Sequence, residues 1–493
     1  MAMRIMIQGT MSNAGKSLIA AGLCRIFRQD GLRVAPFKSQ NMALNSYITR
    51  DGLEMGRAQV AQAEAAGREP DVRMNPVLLK PSSDTGSQLI VNGEVRGQYR
   101  AAEYFKMKKS LVPEILRAYE SLAAENDVIV IEGAGSPAEI NLRDGDIVNM
   151  GLAELVNAPV LLVGDIDRGG VFAQLYGTVA LLQPEERARV VGTVINKFRG
   201  DVELLRPGLA MLEEKTGVPV LGVVPYTRAD IDDEDSLAPC LAQTQQRRPL
   251  DIAVVRLPRI SNFTDFSPLE SHPALGVRYV ERAGQLGEPD LVVLPGTKNT
   301  MGDLAWMRQN GLEAAVKKLA AAGTPVLGVC GGYQMLGTAL DDPDGVEQGG
   351  RMDGMGLLPC ATRFTGQKVR TRVQACAAAG PFAGAQLDGY EIHMGRTERG
   401  GTPPFCLLAD GTPEGAAAGN VFGTYLHGLF DTGELTEKLA AWLLACKGLS
   451  AADVRAESHA AYKERQYDLL ADAVRAAVDI AAVYRAMDAC AAK

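Results

Sequence analysis

Gly9-Thr10-Met11-Ser12-Asn13-Ala14-Gly15-Lys16-Ser17 is a glycine-rich loop that ends in Lys-Ser. An apolar run at residues 4–8 leads into it, and a helix-forming stretch at 17–27 follows. Strand, glycine loop and helix in that order make a phosphate cradle, because loop N–H groups and a helix N-terminus favour anions. In such a cradle Lys16 would neutralise the β- and γ-phosphate oxygens of a nucleoside triphosphate, and the Ser17 hydroxyl would ligate Mg²⁺. Thr10, Asn13 and Gly15 complete the candidate nucleotide-binding set. The usual pattern has glycine at position 10; Gly9 and Thr10 stand here instead, so the loop is a variant one residue longer between its glycines. The competing reading is a glycine turn before a serine-capped helix.

Outward from the loop, Val/Ile/Leu-rich runs lie at 34–38, 127–132, 159–165, 190–197 and 218–225. Continuous rather than alternating runs indicate parallel strands buried on both faces. Segments between them, such as 18–30 and 54–67, have helical periodicity and much alanine. The expectation is a doubly wound α/β domain over residues 1–232. Glu132 closes one run just before Gly133-Ala134-Gly135, and an acid at the carboxyl end of a parallel strand points into the ligand crevice. Glu132 is therefore the first candidate to complete a metal site with Ser17. Asp51 is a second candidate, or simply a solvated loop acid. Asn196, at the end of another run, is either a reader of the purine edge or a turn residue.

Polar stretches at 230–236 and 242–249 suit a linker or a loop near a site. Apolar runs resume at 252–257, 277–281, 291–295, 325–329 and 421–426, giving a second doubly wound α/β domain over 250–445. Residues 446–493 are rich in Ala, Leu and Arg and form a helical extension. Within the second domain, Thr324-Pro-Val-Leu-Gly-Val-Cys330-Gly-Gly-Tyr-Gln-Met-Leu336 is strand, tight turn and helix. The turn would project the Cys330 thiol at a helix N-terminus, where its pKa falls and an oxyanion site lies ready. A buried, inert cysteine is the alternative. His427, closing the run 420–426, is the best-placed base, with His393 as its rival. Backbone N–H groups at Gly331 and at Gly296, in the loop 295–299, are candidates to hold an oxyanion. A phosphate cradle and a poised thiol on one chain are what a ligase needs if it takes nitrogen from glutamine.

The composition fits. A chain of 493 residues exceeds a single core, and its net charge of −8, with 5% aromatic residues, argues against nucleic acid. No run of about 18 apolar residues suggests a membrane span, and the start enters a strand without a signal-peptide pattern. Eight scattered cysteines without a C-x-x-C pair, and four dispersed histidines, point to reduced thiols, no His/Cys metal site and a cytoplasmic enzyme. Its partners would be small molecules.

Further motifs are Lys38-Ser-Gln-Asn41-Met-Ala-Leu-Asn-Ser46, Leu79-Lys-Pro81, Ser87-Gln88, Asp165-Ile-Asp-Arg168-Gly-Gly170 and Gly389-Tyr-Glu-Ile-His-Met-Gly-Arg396. The first domain is similar to dethiobiotin synthetase-type P-loop ligases, and the second to class I glutamine amidotransferase domains. With these motifs the chain resembles the cobyric acid synthase family, glutamine-dependent amidotransferases of cobalamin biosynthesis, and the resemblance extends over nearly its full length. It implies that Cys330 and His427 release ammonia from glutamine. It also implies that ATP with Mg²⁺ activates carboxylates b, d, e and g of adenosylcobyrinic acid a,c-diamide, and that Lys38, Asn41, Ser46, Ser87 and Arg168 hold that substrate. The same chemistry on other corrin carboxylates, as in a,c-diamide synthases, is the nearest rival. A P-loop partitioning ATPase would carry a lysine five residues before Lys16, where this chain has Met11, and would lack the thiol turn. Common class I amidotransferases follow the histidine with Pro and Glu. This chain has His427-Gly428-Leu429, so no neighbouring carboxylate orients the imidazole.

Overall fold

A computed structural model describes residues 2–81, 86–232, 241, 248–450 and 457–491. The chain forms two compact units. The first gathers residues up to Met42, Glu54–Asp232 and residues from Lys463 on; the second holds Ala43–Leu53 and the described residues up to Tyr462. These units depart from the continuous spans expected from sequence at two places, the segment Ala43–Leu53 and the C-terminal helices. Most of the polar passage expected as a linker lies outside the described residues.

The first unit is built on a six-stranded parallel sheet of β1 (Met3–Gly9), β2 (Val34–Phe37), β3 (Val128–Glu132), β4 (Val160–Asp165), β5 (Val190–Phe198) and β6 (Val220–Pro225). The order is β6-β5-β4-β1-β3-β2. Each strand coincides with an apolar run of the sequence. β3 and β4 are buried along their whole length, as parallel strands covered on both faces must be. Helix Lys16–Gln29 covers one face together with His459–Ala477 and Ile480–Ala491, whose Leu470, Val474, Val483 and Met487 join Ile5, Leu23 and Phe27 in one core. Helix approach is close enough that a Cβ at Gly22 would lie 2.9 Å from Val474. The C-terminal helices therefore complete the first unit's core. A separate four-stranded sheet, Gln40–Met42, Val77–Pro81, Gly86–Val91 and Glu94–Arg100, was not evident as strands in the sequence.

The second unit repeats the plan with β7 (Leu250–Val255), β8 (Leu275–Val280), β9 (Leu291–Leu294), β10 (Val326–Val329), β11 (Ala416–Ala418) and β12 (Val421–Thr424). The order is β8-β7-β9-β10-β12-β11, parallel except for β11. A long hairpin of Ala361–Ala377 and Gln386–Glu398 makes a second sheet, onto which the short strand Leu426–His427 pairs. No helix among the described residues is long and apolar enough to cross a membrane.

Candidate active sites

β1 ends at Gly9 and the next helix begins at Lys16, so residues 10–15 turn directly from a buried strand into a helix N-terminus. Asn13 (φ 59°) and Gly15 (φ 98°) adopt left-handed backbone. A Cβ at Gly15 would sit 1.9 Å from Asn196 Nδ2, so only glycine fits. Asn196 donates that amide to the Ala14 carbonyl at 3.0 Å, and Lys197 donates to the Asn13 carbonyl at 2.6 Å and to Asp165 at 2.8 Å. The end of β5 thus braces the loop, and the Asn196 Nδ2 is committed to it. Thr10 donates its hydroxyl to Gln174 at 3.1 Å.

Lys16 donates to the carbonyls of Met11 and Gly135, both at 3.1 Å. Ser17 Oγ donates to Glu132 Oε1 at 2.9 Å, and Lys38 Nζ meets the same oxygen at 2.9 Å. Gln62 donates to the other carboxylate oxygen. Burial raises the Glu132 pKa, but Lys38, Lys16 and Gln62 outweigh it and hold the carboxyl below its ordinary range. An ionised carboxylate beside a serine hydroxyl is an oxygen donor set that suits Mg²⁺.

The remaining first-domain candidates separate. Lys38 is buried in its ion pair with Glu132. Asn41 is buried and donates its amide to Gln59 at 3.2 Å. Ser87 is half-buried and lines a cavity in the first unit. Arg168 is exposed in the turn after β4. Asp51 is exposed in a turn of Ala43–Leu53, a segment of the second unit, whereas Ser17 and Glu132 belong to the first. Ser46 also belongs to the second unit; its N–H donates to Asn262 Oδ1 and its carbonyl accepts from the Tyr390 hydroxyl.

In the second unit, Cys330 sits between β10 and helix Gly331–Leu336 with φ 52° and ψ −107°, a conformation a β-substituted residue rarely adopts. Tight packing enforces the turn: a Cβ at Gly332 would lie 2.0 Å from the Leu294 carbonyl oxygen. The Cys330 N–H donates to Thr424 O at 2.8 Å, tying the turn to β12, and the chain returns two residues later as Leu426–His427. The His427 ring is 1% exposed, lies beside the thiol, and stacks on Tyr390 at 5.4 Å between ring centroids. Gly296 lies against the imidazole, its notional Cβ 3.1 Å from His427 Cε1, and a Cβ at Gly331 would lie 3.0 Å from Thr297 N. His393 is arranged differently: its Nδ1 meets Gly395 O at 2.7 Å and its ring stacks on Tyr425.

Sequence reasoning missed the residue that orients His427. Asp265, in the short helix Phe263–Phe266, meets His427 Nδ1 at 2.6 Å and accepts from Gly428 N–H at 2.9 Å. Burial by itself would lower the imidazole pKa, but the Asp265 carboxylate and the Cys330 sulfur outweigh it and push it up to about 10. Leu429 is fully buried, a core residue where the common pattern has a carboxylate. No local motif marks Asp265; only the folded chain brings it to His427. A strained thiol, an imidazole and a carboxylate in series can perform nucleophilic acyl transfer with proton relay.

Comparison with known proteins agrees with both halves. Residues 5–238 match the CobQ/CobB/MinD/ParA nucleotide binding domain, and residues 251–435 match the CobB/CobQ-like glutamine amidotransferase domain. The chain is 58% identical over 501 residues to the cobyric acid synthase of Ruminiclostridium cellulolyticum, covering 99% of this chain and 98% of that one. It is 53% identical over 502 residues to that of Klebsiella pneumoniae strain 342, covering 99% and 98%. With that of Lachnoclostridium phytofermentans the identity is 52% over 518 residues, covering 99% of both.

Proposed function

The chain belongs to the cobyric acid synthase family, and from that premise we propose that it amidates the b, d, e and g carboxylates of adenosylcobyrinic acid a,c-diamide. It is a glutamine-dependent amidating ligase. In the second unit the Cys330 sulfur attacks the glutamine carboxamide carbon, and the C–N bond breaks as the His427 imidazolium gives its proton to the leaving ammonia. The γ-glutamyl thioester is then hydrolysed to glutamate, with His427 taking a proton from water. Asp265 holds Nδ1 so that Nε2 faces the thiol. The N–H groups of Gly331 and Gly296 receive the carbonyl oxygen as it becomes an oxyanion.

In the first unit, a corrin carboxylate attacks the γ-phosphorus of ATP, the bond to the β,γ-bridging oxygen breaks and ADP leaves; ammonia then attacks the acyl carbon of the resulting acyl phosphate, phosphate leaves, and loss of a proton gives the amide. Activation is required because hydroxide is a poor leaving group and phosphate a good one. Lys16 and the loop N–H groups hold the transferring phosphoryl group. Ser17 and Glu132 would hold Mg²⁺, which supplies charge neutralisation at the phosphates, and Lys38 keeps Glu132 ionised for that role.

The observation that carries the reading is a complete Cys330–His427–Asp265 series on the same chain as a phosphate cradle. A buried series of this kind also argues against an amidotransferase half kept only for architecture. The test is incubation with the a,c-diamide, ATP, Mg²⁺ and glutamine, followed by mass spectrometry. Up to four new amides are expected. ATP and glutamine consumed with an unchanged corrin would defeat the substrate assignment.

A further inference from the structure

The first unit contains a cavity of about 410 Å³ where the four-stranded sheet, the helix Ala101–Met107 and the loop after β3 meet. We infer that this cavity seats the edge of the corrin that is being amidated. The inference rests on the corrin reading above and names its place. Its wall is largely apolar and aromatic at Tyr99, Tyr104, Phe105 and Leu142, and it also carries the charged side chains Glu139, Arg143, Asp146 and Glu186. Large apolar side chains stand open to solvent around it: Met42 is 57% exposed, Leu142 47% and Phe105 40%. Exposed apolar surface gathered at a cavity mouth marks a binding site rather than a solvated face.

Part of the cavity's lining adjoins the phosphate loop. Ala134, Gly135 and Ser136 line the cavity there, and the Gly135 carbonyl accepts the hydrogen bond of Lys16 Nζ at 3.1 Å. A ligand filling the cavity therefore ends beside the lysine of the phosphate loop, where a carboxylate must lie to receive a phosphoryl group. A cation is also in the wall: the Lys108 ammonium, on a side chain buried to 9% exposure, lies 4.0 Å from the Phe105 ring centroid. The volume is too small for a whole corrin and sufficient for one edge, with the rest of the macrocycle on the exposed rim. Apolar contact is non-directional. A wall of this kind accepts one edge of the ring after another, which four successive amidations by one site require.

The test titrates adenosylcobyrinic acid a,c-diamide by its visible absorbance, without ATP or glutamine. It compares the wild-type protein with Phe105→Ala and Ala101→Trp. Phe105 and Ala101 are exposed, so both variants should melt like wild type. The first removes wall and the second fills the cavity. Weakening of at least about tenfold in both is expected. Wild-type affinity in both variants would overturn the cavity assignment and leave the proposed function standing. Failure of the wild-type protein to bind the corrin at all would remove the functional reading, and this inference with it.

Discussion

Asp265 reaches His427 across 162 positions of chain and satisfies two donors at once, the imidazole and the Gly428 N–H. Its charge keeps a fully buried imidazole protonated at neutral pH, beside the thiol it serves. Asp265→Asn keeps the shape and removes the charge, so burial then dominates and the imidazole pKa falls. Glutamine hydrolysis should drop by about 10²-fold or more, and the alkaline limb of its pH profile should move to lower pH. Asp265→Glu should recover part of both; an unchanged profile in Asp265→Asn would contradict the orienting role. The buried pair of Lys38 and Glu132 behaves differently. Glu132→Ala strands the Lys38 ammonium in the interior at a cost of about 3–5 kcal/mol. Adding Lys38→Met should restore the melting temperature but not ATP-dependent amidation. Lys16, Ser17, Glu132 and Cys330 were legible because each belongs to a local pattern. Asp265, inside Asn262-Phe-Thr-Asp-Phe266, carries no local mark, and only the fold brings it to His427.

Elements were legible where they are buried on both faces. The continuous runs of the parallel strands can be satisfied only inside a covered sheet, so their reading needed no tertiary information. In the four-stranded sheet the converse holds for one strand, Glu94–Arg100, which is exposed or half-buried with no apolar pattern to read, whereas Val77–Pro81 and Gly86–Val91 bury apolar runs too short to stand out. One short element carries a titration. Glu414, in the strand Pro413–Glu414, accepts from the Thr424 hydroxyl at 2.6 Å and the Tyr425 N–H at 2.7 Å, and so holds the segment leading to His427. Burial raises its pKa, Thr424 and Tyr425 offset this only in part, and the carboxyl is pushed up to about 7. The native state thus favours the protonated form. Its stabilisation is full below the ordinary carboxyl pKa of about 4.5 and is lost as pH rises through about 7. Differential scanning calorimetry should show the wild-type second unit losing several degrees relative to Glu414→Gln between about pH 5 and 8. Parallel pH curves for the two would contradict it.

At the scale of the whole molecule, the chain's two ends make one unit. Leu470, Val474, Val478, Val483 and Met487 are buried in the core built by β1 and its helix. Their deletion would remove the burial of five apolar side chains, each worth about 1.5–3 kcal/mol, and bare the core they cover, against a total stability of about 5–15 kcal/mol. Truncation after residue 457 should therefore leave the first unit unable to fold, read as loss of nucleotide binding and of its calorimetric transition. Retained nucleotide binding would show the C-terminal helices to be dispensable. Sequence alone identified this region as helical; where the helices dock is a matter of packing across more than 400 residues, which no local pattern records.

The central claim is that one polypeptide makes ammonia at Cys330 and spends ATP to place it on a corrin. Its most direct measurement is the mass of the corrin product formed by wild type and Cys330→Ala, each supplied with either glutamine or ammonium. Wild type should amidate with both nitrogen sources, and Cys330→Ala with ammonium only. Amidation by Cys330→Ala from glutamine, at the wild-type rate, would contradict the account.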